Sequence, residues 1–84
     1  MNPTSDCVKA VLLSIKELLN SGEFGIDEIV SSSYCEKYNK SDIDCSIKYL
    51  KTHNYIKADI IFADDGIYDV TISAITHKGY EFIK

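Results

Sequence analysis

The stretch SDIDCSIKYLKTHNYIKADIIF, residues 41–62, changes its period half-way along, and that change decides the fold. Its first half is helical. Ile43, Ile47 and Leu50, with Asn54 beyond them, recur at three- and four-residue spacing and share one face. The opposite face carries Asp44, Cys45, Lys48, Tyr49 and Thr52. Ser41, with Asp44 three residues on, fits a variant of the capping box, so Ser41 is expected to cap the helix. Asp42 and Asp44 also stand where the helix dipole favours negative charge. From Tyr55 the pattern alternates instead. Ile56, Ala58, Ile60 and Phe62 fall on one side of an extended chain, and Tyr55, Lys57, Asp59 and Ile61 on the other.

The flanks complete the pattern. Downstream, Asp64-Asp65-Gly66 is a hairpin-turn signal, because glycine accepts positive φ, and Ile67 to Ile75 then reads as the return strand. Thr76 is placed to cap a short last helix that runs towards Lys84. Upstream, Val8, Val11, Leu12, Ile15, Leu18 and Leu19 form the apolar stripe of a helix over residues 5–20. Thr4 or Ser5 can cap this helix, and Asn20-Ser21-Gly22 can stop it. Leu13 lies off the stripe, where it is either a lone exposed leucine or a contact for another element or chain. A weaker helix is expected from Ile26 to Ser33, since Ser31-Ser32-Ser33 favours local side-chain bonding. Tyr34 to Lys40 follows as a turn or a ragged extension of that helix.

Three helices, a hairpin and a terminal helix give an α+β order in one domain spanning residues 1–84. A helix pair that feeds a hairpin is the winged helix-turn-helix arrangement, with the third helix as reader and the hairpin as wing.

Composition narrows the class. An apolar fraction of 45% with nine aromatics (six Tyr, three Phe) suits a globular core. No apolar run approaches the roughly 20 residues of a membrane span, and Met1 to Asp6 lacks the basic start of a signal peptide, so a cytoplasmic protein without membrane association is expected. Cys7, Cys35 and Cys45 have neither the close pairing of a zinc site nor the even number of a secreted framework, so reduced thiols and no metal are expected. No cofactor or catalytic site is expected either. His53 and His77 have no Cys or carboxylate in catalytic register, and a Cys45/His53 pair, eight residues apart on a helix, would be about 12 Å apart along the axis.

Two further stretches carry a family likeness. Ile47-Lys48-Tyr49-Leu50-Lys51-Thr52-His53-Asn54-Tyr55-Ile56 is an aliphatic–Leu–Lys segment leading to a Tyr-Ile exit, with Asn54 where glycine is common. Asn is the next most tolerant residue of left-handed geometry, so the exit is expected to survive. Ile75-Thr76-His77-Lys78-Gly79-Tyr80-Glu81-Phe82-Ile83 has the form aliphatic–Thr–x–Lys–Gly–x–x–aromatic–aliphatic. Over residues 41–84 the chain resembles the small YjcQ-like winged-helix proteins of low-GC Gram-positive bacteria and their phages. The resemblance implies a winged-helix fold and, by analogy, DNA binding or phage regulation, and it implies no catalytic residues.

Charge divides the functional readings. The net charge is −4, but residues 37–57 hold five lysines against two aspartates, or +3, while the remainder holds four lysines against eleven acids, or −7. In a double-stranded DNA reading, Lys37, Lys40, Lys51 and Lys57 lie near phosphates, and Ser41, Cys45, Lys48, Tyr49 and Thr52 face the bases. The chain contains no arginine, the best bidentate reader of guanine, and Asp44 could simply pair with Lys48 four residues on. A homodimer is expected, because symmetry supplies the second half-site contact that one mildly basic helix lacks. Asp59, Asp64, Asp65 and Asp69 on the hairpin would repel a phosphate backbone. They support the alternative, a protein-interaction module. In that role Leu13, Tyr68 and these four acids would dock a basic surface of a host protein, as an acidic phage inhibitor of a host nucleic-acid enzyme such as a CRISPR effector would.

Overall fold

A computed structural model describes residues 4–22, 24–64 and 66–83. Among them are four α-helices, α1 (Ser5–Ser21), α2 (Ile26–Ser31), α3 (Lys40–Thr52) and α4 (His77–Phe82), and a short 3-10 turn at Ser33–Cys35. One antiparallel hairpin of β1 (Ile56–Ala63) and β2 (Gly66–Ile75) completes the α+β architecture. No helix among the described residues is long and apolar enough to cross a membrane.

The core forms where the two helical stripes meet. Val8, Val11, Leu12 and Ile15 of α1 are buried against Ile43, Ile47 and Leu50 of α3, with Leu18 and Leu19 partly buried beside them. Burying each such side chain contributes roughly 1.5–3 kcal/mol, which makes these helix faces the main source of stability. Ile26 and Ile29 of α2 and Cys35 close one end, while Ile56, Ile67, Val70, Ile72 and Ile75 of the hairpin cover another side. Leu13 is half-buried and stays outside this cluster.

The Thr4 hydroxyl caps α1, accepting from the Cys7 amide at 3.2 Å. The serine run ends α2 at Ser31. The Ser32 hydroxyl then accepts from the Tyr34 amide and starts the 3-10 turn, so helical structure stops short of the expected Ser33. Helix α3 is capped two residues earlier than expected. Asn39, not Ser41, is its cap, and the Asn39 side chain accepts from the Asp42 amide at 2.8 Å. At the other end Asn54 adopts φ 64°, as the exit from a helix requires, and the Tyr55 amide donates back to the Leu50 carbonyl at 2.8 Å.

The return strand departs from simple alternation. Its buried residues Ile67, Val70, Ile72 and Ile75 are spaced three, two and three apart. Two register shifts, at Lys57/Ala58 and Ile61/Phe62, account for this, since Ser73 and Tyr68 have no opposite number on β1. Each bulge turns the following residues over, so that all four aliphatic side chains reach the core. Phe62, expected on the same side of β1 as Ile56, Ala58 and Ile60, is 58% exposed.

The cysteines are free, with Cys7 and Cys35 buried and Cys45 half-buried. Burial pushes the Cys35 thiol up to about 11, and the nearby Cys7 adds to the rise. The Ser14 hydroxyl opposes it only a little and has no well-formed hydrogen bond of its own. Burial raises Cys7 too, against the pull of the Ser46 hydroxyl 3.1 Å away. Neither thiol is poised to ionise near neutral pH.

Candidate nucleic-acid interface

Helix α3 has a buried stripe, and its opposite side is the candidate surface. Ser41, Lys48 and Thr52 are exposed there, with Cys45 half-buried between them, at the four- and three-residue spacing that aligns side chains along one face. The lysines around this stripe serve different ends. Lys48 extends its ammonium to 5.9 Å from the centre of the Phe62 ring on β1. Lys37 lies beyond the start of α3, with its ammonium 5.5 Å from the Tyr38 ring. Lys51 and Lys57 line a shallow hollow with Asn54, Ala58 and Asp59, so a carboxylate shares the space between α3 and β1.

Lys40 is committed elsewhere. Its ammonium lies 2.9 Å from Asp44 Oδ2 and donates to the Ile67 carbonyl at 3.0 Å. The same Asp44 oxygen accepts from the Ile67 amide at 3.2 Å. Asp44 is therefore not on the outward face and does not pair with Lys48, as the helical spacing allowed. It is 5% exposed and fastens the first turns of α3 to the start of β2. Gly66 makes this possible. It has φ +135°, and a Cβ there would strike Asp44 Oδ2. The glycine expected for the turn thus also clears space for a carboxylate from another element.

Tyr49 is drawn inward as well. Its ring centre is 4.1 Å from that of His53 and 6.2 Å from that of Tyr55, and Tyr55 packs on Phe82 at 5.1 Å. Lys78 closes the cluster, with its ammonium 4.8 Å from the Tyr55 ring centre and donating to the His53 carbonyl at 2.9 Å. Of the base-facing candidates, Ser41, Cys45, Lys48 and Thr52 are brought together, and Tyr49 is turned towards α4.

None of the family models, curated proteins or solved structures compared with this chain matches it.

The acidic candidates separate. Asp59 is exposed on β1 and Asp64 on the turn, while Asp65 lies outside the described residues. Asp69 is half-buried, with Oδ1 accepting from the Val70 amide at 2.8 Å. It joins Tyr68, which is 70% exposed, at an open groove whose other wall is Phe24, Asp27 and Glu28 at the start of α2. Asp27 and Glu28 were recognisable as first-turn acids, but nothing in the sequence spacing brings them to Asp69, forty residues away. Among the described residues no group of three or more His, Cys, Asp or Glu side chains could hold a metal ion.

Proposed function

We propose that this protein is a winged helix-turn-helix DNA-binding regulator of the YjcQ-like kind, from a phage or bacterial host, that works as a homodimer without cofactor or catalysis. The observation that carries the reading is the outward stripe of α3. Ser41, Cys45, Lys48 and Thr52 are free of the core, and Lys51 and Lys57 stand beside them. Hydroxyls and an ammonium can donate to base edges and phosphates, and the flanking lysines supply the charge that holds a helix against a duplex. The hairpin is bound alongside α3 through Lys40, Asp44 and Ile67, which is compatible with its serving as the wing.

The test is selection from a random duplex pool, followed by a salt titration of the selected sequence. Specific binding that weakens steeply with salt is expected, and Lys48→Glu should abolish it. Asp64→Lys with Asp65→Lys should leave it intact or strengthen it. No duplex binding at high protein concentration would refute the reading.

A second reading has its own support. The groove of Phe24, Asp27, Glu28, Tyr68 and Asp69 joins carboxylates to aromatic faces, a chemistry suited to the lysine and arginine side chains of a protein partner. Under this reading the chain is an acidic interaction module. The charge-reversal effects would then invert, with the aspartate replacements harmful and Lys48→Glu harmless.

A further inference from the structure

The outer edge of β1 is open. Among the described residues the sheet has only two strands, so β1 pairs with β2 on one side and with nothing on the other. An eight-residue edge without proline, bearing Ile61 at 56% exposure and Phe62 at 58%, is the kind of strand that recruits another strand. Its bulges cannot blunt it, because both extra residues belong to β2. Its charges, moreover, lie opposite uncharged residues of β2. Lys57 faces Ala74 across the hairpin and Asp59 faces Thr71, and among the described residues neither makes an ion pair.

We propose that β1 pairs with β1 of a second copy, antiparallel about a two-fold axis at Ala58, so that Lys57 of each chain faces Asp59 of the other. Antiparallel partners must lie on the same face of a sheet, so a two-fold axis can pass only through a single residue position. A centre on Lys57 or Asp59 sets like charges against each other. A centre on Ile60 leaves Lys57 opposite Ala63 and Asp59 opposite Ile61. The centre on Ala58 puts both charges of each chain opposite their complements and the smallest side chain at the axis. It also sets the exposed Ile61 opposite Tyr55, and Ile56 opposite Ile60. The pair forms one four-stranded sheet in which residues 56–60 of each β1 gain a strand partner. This inference supplies the surface for the homodimer in the proposed reading, and it holds whichever partner α3 takes.

The experiment is light scattering and sedimentation of the full chain across a concentration series, without DNA. The wild type is expected to dimerise. Lys57→Asp and Asp59→Lys should each weaken the dimer by about tenfold or more, since two reciprocal pairs turn from attraction to repulsion. The double variant Lys57→Asp/Asp59→Lys should restore it, and unchanged circular dichroism would show that all three variants fold. A monomeric wild type overturns the inference, as does a dimer indifferent to the single reversals or one that the double reversal does not rescue. None of these results touches the Lys48→Glu test, so failure of the edge and failure of the DNA reading are told apart.

Discussion

The two ends of α3 are held in different ways. At its start, one carboxylate, one ammonium and the backbone of one residue of β2 form a compact polar lock: Asp44, Lys40 and Ile67. At its end, the rings of Tyr49, His53, Tyr55 and Phe82 lean on one another, with Lys78 above them. The polar lock is directional, and removing its carboxylate strands the buried Ile67 amide without an acceptor. The rings rely on contact area, which a substitute of similar size largely preserves, although Thr76 also bonds to the Asn54 and Tyr55 carbonyls beside them. Asp44 should therefore be the brittle contact and the rings the tolerant one.

Replacing Asp44 attacks the brittle end most directly. Asp44→Ala leaves the buried Ile67 amide without its acceptor and Lys40 with only the Ile67 carbonyl, and it should cost about 1.5–3 kcal/mol of unfolding free energy. Asp44→Asn should cost less. For a chain of this size, with about 4–12 kcal/mol in all, the alanine variant is expected to shift the denaturant midpoint strongly, and a loss under about 1 kcal/mol would show that no lock exists.

Gly66→Ala approaches the same lock from the other side. The new Cβ is strained at φ +135° and strikes the Asp44 carboxylate, with an expected loss of about 1–3 kcal/mol. The two changes should be non-additive, because Asp44→Ala removes the atom that Gly66→Ala strikes. Strict additivity in a double-mutant cycle would break the link drawn between turn and helix.

The aromatic end supplies the contrast. Tyr55→Leu should cost only about 1–1.5 kcal/mol, since the half-buried site keeps an apolar occupant. A loss equal to that of Asp44→Ala would erase the distinction between the ends. Smallest of all, Lys78→Met should cost ~0.5 kcal/mol, because its ammonium is exposed and screened by salt. The loss should shrink further in high salt, and thermal unfolding with and without added salt measures it.

The regions differ in how far the sequence foretold them. The apolar stripes of α1 and α3 were plain, because a helix repeats its buried face every three or four residues without reference to any other element. The turn at Asp64-Asp65-Gly66, the Thr76 cap and the left-handed Asn54 were equally local. The cap of α3 lies at Asn39 rather than Ser41 for a local reason, since the Asn39 side chain accepts from the Asp42 amide three residues on. Asp44, the residue that made Ser41 look like half of a capping box, is taken up by β2. In the candidate interface, Ser41, Cys45, Lys48 and Thr52 follow from helical spacing alone. The packing of Tyr49 on Tyr55, which Phe82 backs, and the bond from Lys40 to the Ile67 carbonyl do not, because each involves an element beyond the helix.

The sequence by itself determined the α+β order of helices and hairpin, the buried faces of the two main helices and the concentration of lysines at residues 37–57. Those properties are set by neighbours a few residues apart. Only the tertiary structure decided which charges are free and which are spent. It turned Asp44 from a surface acid into the buried anchor of the hairpin, and it reversed the facing of β2 twice through bulges at Tyr68 and Ser73. It also brought Asp27 and Glu28 to Asp69. A carboxylate's partner is fixed by distance in space, and no local period records that distance.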